Sequence, residues 1–342
     1  MMTELLPAAS FADLRARLAA LPQADAAAAE AARARQNSLT KPPGSLGRLE
    51  DLAVFMAGWQ GAEKPVIGRA QALVFAGNHG ICAKGVNPYP QEVTAQMVAN
   101  FRSGGAAINQ LCAASGADLD VIALDLDRPT GDFTEGPAMT EAETLDAMAR
   151  GAAAVDRGAQ VLVLGEMGIG NSTVAAALAR ATFGAHANDW VGPGTGSDAD
   201  GMSLKARVIE AGIARHAGVQ GDPLATLAAL GGREQAAICG AVLAARAARI
   251  PVILDGFICT AAAAALHPIA GVLDHCIVGH ASTEPGHRRL LAAIGKEPVL
   301  EMRMRLGEGS GAALAWPLLE SACRVLAEMA SFESAGVSRR SP

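Results

Sequence analysis

The chain has few aromatic residues: Phe, Trp and Tyr make up 4% of its 342 residues, and only one is Tyr. It also lacks a basic stripe, since 28 Lys and Arg are interspersed among 34 Asp and Glu for a net charge of −6. Nucleic-acid surfaces combine phosphate-neutralising cations with stacking rings, so no nucleic-acid partner is expected. The six cysteines, at positions 82, 112, 239, 259, 276 and 323, include no Cys-x-x-Cys pair. Such spacing offers neither a zinc site nor a disulfide framework, and buried thiols in a reducing compartment are expected. A membrane-spanning segment is missing too. The longest nearly apolar stretch, 250–266, is broken by Asp255 and falls short of the ~20 residues needed to cross a bilayer. The N-terminal residues include Glu4, Asp13, Arg15 and Arg17, not a basic start followed by an apolar run. A cytoplasmic protein without a membrane partner is expected.

Hydrophobic residues reach 51%, much of it Ala, which suits packed helices. This length allows one large domain or two. Residues 1–36, rich in Ala, Arg and Glu, read as a helical arm that breaks at Thr40-Lys41-Pro42-Pro43-Gly44. Ser45 then serves as N-cap for a helix carrying Leu46, Leu49, Leu52, Ala53 and Met56 on one face. Beyond Pro65, short apolar runs at 71–76, 119–124, 160–164, 250–254 and 275–278 alternate with longer amphipathic segments. Those segments predict helices near 91–102, 140–157, 171–182, 202–217, 233–248, 257–266, 284–294 and 311–330. Continuous apolar strands separated by helices predict an α/β fold, a mainly parallel, Rossmann-like sheet with helices on both faces. The tail from Ser331 is polar and reads as loose.

Open α/β sheets bind ligands at the carboxyl ends of their strands. Four predicted strands run directly into Gly and polar residues: Gly77-Asn78-His79-Gly80, the stretch from Gly165 to Thr173, Asp255-Gly256, and Gly279-His280-Ala281-Ser282-Thr283-Glu284. Together they predict a ligand crevice. Asn171, Ser172 and Thr173 stand where the next helix begins, a position suited to a phosphate, although an ordinary N-cap would use the same residues. The run from Gly165 nearly spells a P-loop, but Asn171 replaces the essential Lys, which excludes a triphosphate grip. A second Gly-rich loop, 192–198, is either a flexible turn or an anion contact within reach of Lys205. Gly-Glu-Gly at 307–309 can bring a carboxylate close to a ligand, or can be simple turn composition. His79, His280 and His287 form no metal pattern and read as polar lining or structural residues, so no metal ligand is predicted.

Thr40-Lys41-Pro42-Pro43-Gly44-Ser45-Leu46-Gly47-Arg48-Leu49-Glu50 and Arg305-Leu306-Gly307-Glu308-Gly309-Ser310-Gly311-Ala312-Ala313-Leu314 are specific motifs. With Gly77-Asn78-His79-Gly80, Gly165-Glu166-Met167-Gly168 and Leu254-Asp255-Gly256-Phe257 between them, in order over about 39–325, the chain resembles the nicotinate-nucleotide–dimethylbenzimidazole phosphoribosyltransferases. The resemblance implies a cytoplasmic homodimer without a cofactor. It implies a large α/β domain, here 65–304, and a small helical domain built from both chain ends, 1–64 and 305–342. It implies transfer of phosphoribose from nicotinate mononucleotide to 5,6-dimethylbenzimidazole, yielding α-ribazole 5'-phosphate and nicotinate for the lower ligand of cobalamin. It makes Glu308 the catalytic base and turns Glu166 and Gly168 toward the reacting region. Asn171, Ser172, Thr173, Lys205, Ser282 and Arg305 are then candidates for holding phosphate and ribose. The segment from Tyr89 to Met97, with Leu306, is expected to line the base pocket. Many relatives have Asp at the position of Asn78, and some have Ser and Gln at those of Tyr89 and Met97, which bears on base preference and not on the reaction.

The chemistry fits a lone carboxylate. The donor carries a pyridinium on ribose C1, so nicotinate leaves without an acid. The acceptor must shed a ring proton as it attacks, a task for a general base worth ~10²–10⁴-fold. Two other classes compete: a nicotinamide-dinucleotide oxidoreductase, which would need the absent G-x-G-x-x-G fingerprint, and a non-catalytic nucleotide- or base-binding module.

Overall fold

The computed structural model describes residues 5–194 and 196–338. Three helices come first: α1 (Phe11–Leu18), α2 (Ala26–Ser38) and α3 (Arg48–Gln60). Then follow β1 (Ala70–Ala76), α4 (Glu92–Arg102), α5 (Ala107–Ser115), β2 (Ala117–Ala123), α6 (Glu141–Ala153), β3 (Val161–Met167) and α7 (Asn171–Phe183). The chain continues through α8 (Ala199–Arg215), α9 (Pro223–Leu230), α10 (Arg233–Ala247), β4 (Val252–Leu254), α11 (Phe257–Ala264) and β5 (Cys276–His280). It closes with α12 (Pro285–Ala293), β6 (Pro298–Leu300) and α13 (Ser310–Glu328).

All six strands are parallel, in the order β2-β1-β3-β4-β5-β6. After β1 the chain goes to one side for β2 and returns to the other side for β3. The topological switch therefore lies between β1 and β3, where such sheets open a crevice. Every residue of β1 is buried. Leu73 and Phe75 of β1, Leu162 and Leu164 of β3, and Val252 and Leu254 of β4 enter one core with α6, α7, α10 and α11. The alternate residues Ala72, Val74, Val161, Val163 and Ile253 enter a second core with α3, α5 and α13. The period of two that sends side chains to opposite faces thus builds a core on each side of the sheet.

Several sequence expectations are corrected. Ser45 does not cap α3; the N-cap is Gly47 at φ 52, and no side chain caps it. The arm is two helices, α1 and α2. Strand β3 continues to Met167, which puts Gly165 and Glu166 inside it, and β5 likewise includes Gly279 and His280. Helices α5 and α9 and the short strand β6 were not anticipated. Nor is the tail loose as far as it is described: Leu39 and Ser331 form an antiparallel bridge, and Phe332 N–H donates to Ser38 O at 3.0 Å. Residues 339–342 lie outside the described residues. The two chain ends also meet where Arg35 donates to the carbonyls of Leu326 and Ala327 at the end of α13. The Lys41 motif is a clasp. Lys41 pairs with Glu50 at 2.7 Å in a buried site, and Arg48 donates to the carbonyls of Glu297 and Pro298, tying the start of α3 to β6.

Candidate active site

The exits of β3, β4 and β5 converge on one cleft, as their polar strand ends predicted, whereas the Gly77–Gly80 exit of β1 does not line it and packs against the β3 exit, where a Cβ on Gly168 would lie 2.6 Å from Gly77 O. A cleft of about 770 Å³, counting its open mouth, is lined by residues 168–172 and by Glu166, Lys205, Ser282 and Arg305. Gly170 enters α7 at φ 90, and no side chain caps the helix. The positive end of the α7 dipole therefore faces the cleft, a setting for an anion.

Cations stand near it. Lys205 on α8 is 3% exposed, and burial lowers its pKa. Its Nζ lies 3.3 Å from Ser172 Oγ and 3.4 Å from Gly192 O. Arg305 donates to Gly194 O at 2.7 Å, and the Gly194 N–H donates to Glu284 Oε1 at 3.0 Å. The loop that begins at Gly192 is therefore held by both cations; Thr195 within it lies outside the described residues. Ser282 is buried, and its N–H donates to His287 Nδ1 at 2.9 Å.

Carboxylates gather at the other end. Glu166 is 5% exposed and accepts a hydrogen bond from the Asn171 side chain. Burial, reinforced by Asp255 and Glu234, pushes its pKa up to about 8. A Cβ on Gly307 would come within 2.6 Å of Glu166 Oε1, so only glycine lets the 305–309 loop close over this side chain. Glu308 follows, buried, at φ 65, with Oε2 unpartnered. Burial raises its pKa, the Ile108 N–H at the start of α5 opposes that, and Asp255 adds to the rise.

Not every candidate lines the cleft. Leu306 does, and so do Asn87 and Pro88. Tyr89 itself is 49% exposed, and Met97 is half-buried against the second core. Thr173 is fully buried with its hydroxyl unpartnered. Glu308 stands behind Gly307 and turns toward α5. The three histidines are as the sequence suggested: His79 pairs with Glu234 at 3.0 Å, His280 with Asp255 at 3.5 Å, and His287 accepts from Ser282. Asp255 and Glu284 were not singled out as site residues. Asp255 had a signal, being the one charge in the longest apolar stretch; Glu284 had one too, standing in the polar run that follows the 275–278 strand. Among the described residues no group of three or more His, Cys, Asp or Glu is arranged to hold a metal ion.

Comparisons with known proteins point one way. A family model described as phosphoribosyltransferase matches residues 21–337. The nicotinate-nucleotide–dimethylbenzimidazole phosphoribosyltransferase of Rhodobacter capsulatus is 61% identical over 329 residues, 96% of this chain and 98% of its own. That of Ruegeria pomeroyi is 57% identical over 339 residues, 99% of each chain. The crystal structure of the enzyme so named from Thermus thermophilus superposes with a TM-score of 0.87 at 42% identity, covering 92% of this chain and 100% of its own.

Proposed function

The chain belongs to the nicotinate-nucleotide–dimethylbenzimidazole phosphoribosyltransferases, and from that premise we propose how its residues move phosphoribose from nicotinate mononucleotide to 5,6-dimethylbenzimidazole. The products are nicotinate and α-ribazole 5'-phosphate, the precursor of the cobalamin lower ligand. The observation that carries the mechanism is Glu308: a buried carboxylate with a free oxygen, fixed between two glycines beside the cleft.

The donor's phosphate sits at the start of α7, with Ser172, Lys205 and Arg305 as its cationic and hydroxyl partners. Asn171 and Ser282 face the ribose, and Gly168 lines the same wall of the cleft. That grip, remote from the bond that breaks, holds C1 in line between nicotinate and the acceptor. The benzimidazole lies on the Glu308 side, near Leu306 and the segment from Tyr89 to Met97. One ring nitrogen attacks C1 from the face opposite nicotinate, which inverts C1 and gives the α-riboside. Glu308 takes the proton from the other nitrogen, and its raised proton affinity suits it to that task. Glu166, whose pKa is pushed up to about 8, faces the reacting region and is the alternative base.

The protein then works as a cytoplasmic homodimer. Its small helical domain is made from residues 1–64 and 305–342 around a large domain at 65–304. The Arg35 contacts with the end of α13 support the joining of the chain ends, whereas α1 leans on the large domain through Leu14 and Leu18. No helix among the described residues is long and apolar enough to cross a membrane.

The test incubates purified protein with both substrates and separates the products by chromatography, with Glu308→Gln alongside. Formation of α-ribazole 5'-phosphate is expected, and the variant is expected to stay folded, bind both substrates and lose about 10²–10⁴ in turnover. A β-riboside would refute in-line attack. A fully active variant would move the base role, first to Glu166. Binding of both substrates without product would make the chain a binder.

A further inference from the structure

Asp255 follows β4 and is 1% exposed. Its Oδ2 accepts the N–H of Gly309 at 3.2 Å, and its Oδ1 accepts those of Gly311 at 2.8 Å and Ala312 at 3.0 Å. These are donors at the start of α13, which have no partner within the helix. No side chain of the α13 segment caps it, so a carboxylate from another strand end does.

The residue just before this cap is Glu308. It adopts φ 65 between Gly307 at φ 86 and Gly309 at φ 88, a run in which a side-chain-bearing residue is disfavoured. Such a conformation persists only where the surroundings over-determine it. On one side Gly165 presses on it, since a Cβ there would lie 2.4 Å from the Glu308 backbone. On the other side stands Asp255. His280 stands beside that carboxylate with Nε2 3.5 Å from Oδ1, and its ring fills the space beside Gly311, where a Cβ would come within 1.9 Å of Cδ2.

We propose that Asp255, oriented by His280, is a positioning residue that fixes the Glu308 carboxylate in place by pinning the backbone that follows it. This rests on the reading of Glu308 as the base. The three bonds need acceptors on both carboxylate oxygens. Asn supplies one acceptor and turns an NH₂ donor against an N–H donor, with almost no change in volume.

The test is steady-state kinetics of Asp255→Asn, Glu308→Gln and the double variant, with thermal unfolding to confirm that each is folded. Asp255→Asn is expected to lower kcat by about 10- to 100-fold with both KM values little changed, the pattern of a misplaced catalytic group and not of lost binding. The acid limb of its kcat–pH profile moves to lower pH, because a negative neighbour of Glu308 has been removed. The double variant is no slower than Glu308→Gln, since Asp255 acts through that residue. Losses that multiply in the double variant, or a kcat for Asp255→Asn near wild type, overturn the proposal. If Asp255→Asn misfolds, His280→Gln reads the same effect on kcat, and a wild-type kcat there overturns it. An active Glu308→Gln shows by itself that the base reading has failed, and the positioning role falls with it.

Discussion

The two ends of one cleft differ in charge. At one end stand Lys205, Arg305 and the uncapped start of α7, with Glu284 beside them; at the other, Glu166 lies under Gly307, and Asp255 and Glu308 pack behind the cleft wall. Nicotinate mononucleotide has the matching asymmetry, with an anionic phosphate at one end and a pyridinium on C1 at the other. The difference teaches a division of labour. In the proposed mechanism the cationic end would bind a group that does not react, and the carboxylate end, costly to bury, would face the carbon where positive charge grows and the ring that sheds a proton. Substitutions at the carboxylate end are therefore expected to act on kcat, and those at the cationic end on donor KM.

The largest effect expected from breaking this pattern comes from Gly165→Ala, at the carboxylate end. Its Cβ would stand 2.4 Å from the Glu308 carbonyl and from Gly309 N, atoms of backbone that cannot swing aside. The loop must shift, and displacement of a catalytic group by an ångström can cost about 100-fold in kcat. Donor KM, set at the other end, is expected to hold. Stopped assays at saturating substrates check this; an unchanged kcat would mean that the loop yields without moving Glu308.

Next is Lys205→Met, which keeps the buried stem and removes the charge. A charge-assisted bond to phosphate is worth about 1.5–3 kcal/mol, so KM for nicotinate mononucleotide is expected to rise roughly 10- to 100-fold while saturated turnover changes far less. A loss confined to kcat would place the phosphate elsewhere.

The two ends were not equally legible in the sequence. The cationic end was readable because a glycine run ahead of Asn171, Ser172 and Thr173 marks a strand-to-helix turn, and Gly170 does enter α7 there. Glu308 was readable from its flanking glycines, which the structure explains by consecutive positive φ values. The boundary of β3 was misread because Gly165 looked like the start of a loop. It is a strand glycine, required because the Glu308 backbone crosses directly over it. Asp255 was unreadable as a cap, since its three donors come from residues 54 to 57 positions away. Strand β6 has only Pro298–Leu300 and half-buried side chains, too short for a period of two to show. The bridge between Leu39 and Ser331 likewise depends on the two chain ends meeting, which no local pattern encodes.

The smallest effect separates the two ends without any substrate. Glu166 has its pKa raised from an ordinary 4.5 to about 8, by burial first and then by Asp255 and Glu234. Between those values the folded chain holds a proton that the unfolded chain has released. This contribution to stability is fully present below pH 4.5 and is lost as pH rises toward 8. Glu308, Asp255 and Glu284 are shifted upward by burial too, and so act in the same sense. Lys205 is shifted downward by burial, so the folded chain binds its proton less tightly. It therefore adds stability as pH rises toward its ordinary alkaline value, the opposite sense. Glu166→Gln is expected to flatten the fall in melting temperature of the substrate-free protein between about pH 5 and 8, by about 1–2 °C for each kcal/mol removed. Lys205→Met is expected not to flatten that fall. Parallel melting profiles for wild type and Glu166→Gln would mean that Glu166 is ionised at neutral pH in the folded chain, and the carboxylate end would then hold its charges without the mutual repulsion its burial implies.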